Sequence, residues 1–217
     1  SNYLNWVSLG RVYDAVSIPQ LNITGAYESA QVAYIEALKL NPKNPGIFML
    51  LARLSANRND LNQARNYVQQ AIQIKSNYLD AYFLLSQIEV STNNIKGAIQ
   101  SVSAAAVIDP TNPAIAFQLG LLKYNNRDWD GAIEALEKAV TMTPDYANAK
   151  FFLGLSYEAT GQREKAIKQF EDLSVSNPDS AEVKTILENL KAGKSIFTDA
   201  ANAKPEKGKE LPLKETN

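Results

Sequence analysis

A proline or a turn residue returns every 34 positions, at Pro42, Ser76, Pro110, Pro144 and Pro178. Ala30, Ala64, Ala98, Ala132 and Ala166 keep the same step, and seven residues after each comes Ala37, Ala71, Ala105, Ala139 and then Leu173. Three ladders in register constrain the chain to a stack of like units, each of which buries its apolar face only on its neighbours. Seven residues span about two helical turns, so each pair of small residues lies on one helix face, where larger side chains would hold two helices apart. Proline ends a helix because it lacks an N–H and disfavours helical backbone in the residue before it. Lys75-Ser76-Asn77 replaces it once and still reads as a turn.

Within each unit the first helix carries a leucine and then a small residue on one face, as in Ala116, Leu119 and Gly120. Lys150, Leu153, Gly154 and Tyr157 repeat the pattern, and Trp6, Leu9, Gly10 and Tyr13 show it at the start. The periodicity predicts helices over residues 3–16, 26–40, 45–57, 61–74, 79–92, 95–108, 113–125, 129–142, 147–160 and 163–176, followed by an amphipathic helix over 181–191.

These motifs resemble the tetratricopeptide repeat (TPR) family over residues 3 to about 180. The resemblance implies an all-α fold, a right-handed superhelical α-solenoid of five TPR helix pairs with a C-terminal capping helix. The expected organisation is a solenoid over 1–193, with repeats at about 3–44, 45–78, 79–112, 113–146 and 147–180, a cap over 181–191, and a polar, flexible tail over 194–217.

Composition narrows the function. The 217 residues contain no cysteine and no histidine, which removes thiolate nucleophiles, disulfides, Ser-His-Asp triads and the usual zinc and copper ligands together. Carboxylate pairs such as Glu134 with Glu137 and Glu171 with Asp172 sit beside lysines and read as solvated faces. The glycines form no phosphate-cradling cluster. No enzyme activity, cofactor or metal is therefore expected. Lys+Arg is 22 against Asp+Glu 23, with no dense basic run, so no nucleic-acid partner is expected. No apolar stretch approaches the ~18 residues that suggest a membrane span.

Several segments depart from the repeat. Between Tyr13 and the second helix at Ala26, residues 14–25 are eight residues longer than the other inter-helix stretches, and Ile18, Pro19, Leu21, Ile23 and Gly25 make this a loop. It reads either as a cap over the terminal repeat or as a docking element, and Asn22-Ile23-Thr24 matches a glycosylation sequon. The tail is poor in apolar residues apart from Ile196-Phe197 and Leu211-Pro212-Leu213. Read plainly it is a flexible terminus; read as a binding element it would fold into a neighbouring molecule's groove and give a weak homo-oligomer. The start at Ser1, without an initiator methionine and almost directly on the first motif, suggests an excised domain.

The resemblance also implies a concave groove lined by first helices, with ligand contacts at a few fixed positions. The fifth position gives Val7, Met49, Phe83, Phe117 and Phe151; the ninth gives Arg11, Arg53, Gln87, Leu121 and Leu155; the twelfth gives Asp14, Ala56, Val90, Tyr124 and Glu158. Met49, Arg53, Phe83, Gln87, Phe117, Leu121, Tyr124 and Phe151 are the candidate site, basic early and aromatic late. The alternative for the apolar members is packing against the neighbouring first helix. The lysine and asparagine pattern of chaperone-tail binders in the family is absent, and an apolar ladder would leave a carboxylate unpaired. The expected function is a non-catalytic protein-interaction scaffold whose partner is a peptide or protein segment. A weaker resemblance joins Asn5-Trp6-Val7-Ser8-Leu9-Gly10-Arg11-Val12-Tyr13 and Gly25-Ala26-Tyr27-Glu28 to the repeat region of bacterial O-antigen ligase or polymerase-like proteins. It implies the alternative of an accessory domain of an envelope glycan enzyme, tethered to a membrane through a preceding segment.

Overall fold

The computed structural model describes residues 2–17, 21, 23–197 and 213. These form α1 (Tyr3–Val16), α2 (Ala26–Leu40), α3 (Pro45–Asn57), α4 (Leu61–Ile74), α5 (Leu79–Ser91), α6 (Ile95–Ile108), α7 (Pro113–Asn125), α8 (Trp129–Met142), α9 (Ala147–Ala159), α10 (Arg163–Ser176) and α11 (Ala181–Lys191), with no strand among the described residues. The fold is an all-helical repeat. The helices match the periodicity to within one residue, with α5 ending at Ser91 and α9 at Ala159. The chain divides into two compact units, Ser1–Ile108 with α1 to α6 and Asp109–Asn217 with α7 to α11.

Local chemistry sets the helix ends. The Asn44 and Asn112 side chains accept hydrogen bonds from the N–H groups of Gly46 and Ala114, with Pro45 and Pro113 as the first helical residues. Asp60 and Asp128 cap α4 and α8 in the same way. The proline ladder falls just past the second helices, with Pro42, Pro144 and Pro178 directly after the C-caps Asn41, Thr143 and Asn177. Gly25, Asn59, Asn93, Arg127 and Gly161, again 34 residues apart, take left-handed backbone between the helices of each pair. Glycine and asparagine tolerate that conformation well, and Arg127 is the exception among the five.

Both alanine ladders are core. Ala30, Ala64, Ala98, Ala132 and Ala166, and their partners through Leu173, are fully buried. A fourth ladder, Tyr34, Val68, Val102, Leu136 and Phe170, is equally buried and takes up the position that corresponds to the small residue of each first helix. Sizes are matched. A Cβ on Gly10 would lie 2.4 Å from Tyr34 Cε1, one on Gly120 2.5 Å from Leu136 Cγ, and one on Gly154 2.6 Å from Phe170 Cε2. Where valine stands instead, at Val68 and Val102, the small residue is Ala52 or Ser86. Each pair thus reaches a similar combined volume, as close packing demands. The Ser86 hydroxyl is buried without a hydrogen-bond partner among the described residues.

One buried ion pair crosses from α4 to α5 in the first unit. Glu89, 6% exposed, receives hydrogen bonds from Arg65 Nε at 2.7 Å and from Asn94 Nδ2 at 2.6 Å. Burial pushes its carboxyl up, but the hydrogen bonds from Arg65 and Asn94 and the charge of Arg65 outweigh burial and hold it below its ordinary value of 4.5. A depressed native pKa stabilises the fold above the unfolded value, and that contribution is lost as pH falls through the native value. Glu89→Gln should therefore show a shallower loss of thermal stability than the wild type on acidification from about pH 5 to about pH 3, in a pH series of melting curves.

Candidate functional site

In the first unit, α1, α3 and α5 together line a cavity of about 290 Å³. Its apolar lining includes Leu4 and Val7 of α1 and Ile47, Met49 and Leu50 of α3. Arg11, Arg53 and Asp80 supply its charge, with Asn44 and Tyr78 from the helix caps. Arg11 and Arg53 stand one turn beyond Val7 and Met49 on their own helices, so one helical face presents an apolar and then a cationic group. Both arginines are exposed. The first unit's other arginines pair, Arg58 with Glu28 and Arg65 with Glu89, whereas Arg11 and Arg53 meet no carboxylate within ion-pair distance among the described residues. Such a site can seat an apolar side chain and hold an acidic group beside it.

Of the residues read from the sequence, Met49 and Arg53 line this cavity, Met49 while 4% exposed and packed in the core. Phe83 is half-buried and Gln87 exposed on α5, away from the cavity lining. Val7 and Arg11, at the same groove positions in α1, line the cavity too, whereas Asn44 and Tyr78, which no groove position marks, reach it from capping positions.

In the second unit, Phe117 and Phe151 are 6% and 3% exposed, within the hydrophobic core. Leu121 and Tyr124 are half-buried and pack against that core. The rings form a connected set, with Phe117 4.9 Å from Tyr146, Tyr124 5.2 Å from Phe152, and Phe151 5.5 Å from Phe170 between centroids. Burial pushes the Tyr124 hydroxyl up to about 12, so it stays neutral at physiological pH. Phe117 and Phe151 are thus core residues of the second unit.

Other expectations meet the structure in part. Leu21 and Ile23 of the long loop are 52% and 51% exposed, while Ile18, Pro19, Gln20 and Asn22 lie outside the described residues. Of the tail, 194–197 and Leu213 are described, whereas Leu211 and Pro212 are not. Leu213 is 7% exposed and belongs to the second unit's core, against Asn148 at the start of α9. Among the described residues no helix is long and apolar enough to cross a membrane, and no group of acidic side chains is placed to hold a metal ion.

Comparison with known proteins agrees with the architecture. A tetratricopeptide repeat family model matches residues 23–72 and 124–190, more than half of the chain. No curated protein matches it. Among solved structures the chain is similar to YrrB, described as a TPR protein with an unusual peptide-binding site, at 17% identity over 86% of this chain and 92% of that one, with a TM-score of 0.68. It is also similar to MamA, at 22% identity over 83% of this chain and 94% of that one, with a TM-score of 0.66. MamA from Desulfovibrio magneticus RS-1 aligns at 19% identity over 80% of this chain and 97% of that one, with a TM-score of 0.62. At these identities the likeness speaks for the fold. With the 34-residue ladders, the paired helices and the matched segments in agreement, the chain belongs to the tetratricopeptide repeat family.

Proposed function

We propose that the chain is a non-catalytic interaction scaffold that binds a peptide or protein segment on the faces of its first helices. The carrying observation is the cavity of the first unit, where an apolar lining adjoins two arginines that form no ion pair among the described residues. A fitting ligand inserts an apolar side chain over Val7 and Leu50 and brings an acidic group to Arg11 and Arg53. The peptide-binding site described for YrrB supports the same use of the fold. In this reading Met49, Arg53, Phe83 and Gln87 serve the first unit, and Phe117, Leu121, Tyr124 and Phe151 the second, with Met49, Phe117 and Phe151 acting mainly by shaping the surface from beneath. Neither the fold nor the comparisons add an observation in favour of the envelope-glycan alternative.

An array of short synthetic peptides probed with the full chain tests this proposal. Bound peptides should be enriched in an apolar residue flanked by Asp or Glu. Charge-assisted hydrogen bonds contribute about 1.5–3 kcal/mol, so Arg53→Ala should weaken the selected peptides about tenfold or more, and added salt should weaken wild-type binding. Selected peptides without acidic residues, bound equally by Arg53→Ala, would refute the assignment of this cavity.

A further inference from the structure

Leu213 meets Asn148 through both of its backbone polar groups. Asn148 Nδ2 donates to the Leu213 carbonyl at 2.8 Å, and the Leu213 N–H donates to Asn148 Oδ1 at 3.1 Å. A side-chain amide carries one donor and one acceptor on neighbouring atoms, so it can satisfy a single residue's N–H and C=O at once, much as an adjacent β-strand does. The readout is of backbone, whatever the side chain. The side-chain preference comes from burial: Leu213 is 7% exposed and Asn148 1%, in a core cluster that includes Phe117 and Phe151. The two residues are 65 positions apart, so this is a tertiary contact and no local turn.

From this pairing we infer that the start of α9 is a peptide subsite for an extended, leucine-bearing segment, and that the chain's own Leu213 occupies it in cis and competes with any outside ligand of the same chemistry. The inference rests on the reading that first helices carry the ligand faces, because Asn148 is in the first turn of such a helix. Leu213 belongs to the same chain as Asn148, so their encounter is intramolecular, with an effective concentration on the order of a millimolar. A tail of modest intrinsic affinity, about 100 μM, then fills the subsite roughly nine-tenths of the time and weakens an outside competitor about tenfold.

The test uses the full chain and a fluorescently labelled synthetic peptide with the sequence of residues 208–217, followed by anisotropy. The Leu213→Ser chain should bind this peptide at least tenfold more tightly than the wild type, because its own tail no longer competes. Adding Asn148→Ala to that variant should abolish the gain. A peptide that itself carries Leu213→Ser should bind none of the chains, a control on the ligand side that cannot disturb the fold. Sedimentation should find the same mass for wild type and Leu213→Ser. Equal peptide binding by wild type and Leu213→Ser, or undiminished binding by the double variant, would overturn the subsite. A wild-type dimer that Leu213→Ser dissolves would overturn occupancy in cis and place the tail on a second copy. Failure of the peptide array at the first unit's cavity leaves these results untouched, because neither Arg53 nor any selected peptide enters them.

Discussion

Phe170→Ala is expected to lower the unfolding free energy by about 3–5 kcal/mol, among the largest effects of any single change in the chain. Phe170 is fully buried, lies 5.5 Å from Phe151 between ring centroids, and fills the space that Gly154 leaves open. Gly154→Ala alone should also destabilise, by about 1–3 kcal/mol, because its Cβ would lie 2.6 Å from Phe170 Cε2 and 3.3 Å from Gln169 Cβ. Alanine's better helix propensity, about 1 kcal/mol, offsets part of this. Since the clash needs the ring, the double variant should lose less than the sum of the two singles, by about 1 kcal/mol or more. Denaturant midpoints of the four proteins measure the coupling. Strict additivity would mean that glycine and aromatic are not size-matched partners.

Phe117→Ala is expected to act on stability in the same range, a loss of about 3–5 kcal/mol read from denaturant or thermal unfolding. Its ring is 6% exposed and lies tilted against Tyr146 with centroids 4.9 Å apart, so truncation leaves a cavity in the second unit's core. Phe83→Ala, at the equivalent position on α5 but only half-buried, should lose markedly less. The contrast matters for interpreting binding data. Weakened binding by Phe117→Ala reports on a loosened core as much as on a lost contact, whereas Phe83, Arg53 and Gln87 can be changed with less disturbance.

Periodicity made the fold legible because each repeat solves the same packing problem. Ala98 and Ala132 must be small for the same reason, and a sequence period shows this directly. The matched ladder from Tyr34 to Phe170 carried an equally readable signal, since its members also step by 34 residues. The division after Ile108 had no such mark: Asp109-Pro110 looks like every other repeat boundary. The ligand faces were legible only in part. Fixed positions located Met49 and Arg53, but a position cannot tell whether a side chain is exposed: at the fifth position Phe83 is half-buried, whereas Phe117 and Phe151 are buried. Asn44 and Tyr78 reach the cavity as caps, and capping residues are chosen for the helix end, so their second role leaves no pattern. The Asn148–Leu213 pair joins two residues with no periodic relation, through backbone atoms that every residue shares.

The central claim is that ligands bind on first helices, and hydrogen exchange of the full chain with and without an array-selected peptide tests it most directly. Bound peptide should slow exchange in α1 around Val7 and Arg11 and in α3 from Gly46 to Arg53, the helices that line the cavity. Protection confined to the second helices α2 and α4, with α1 and α3 unchanged, would contradict the claim.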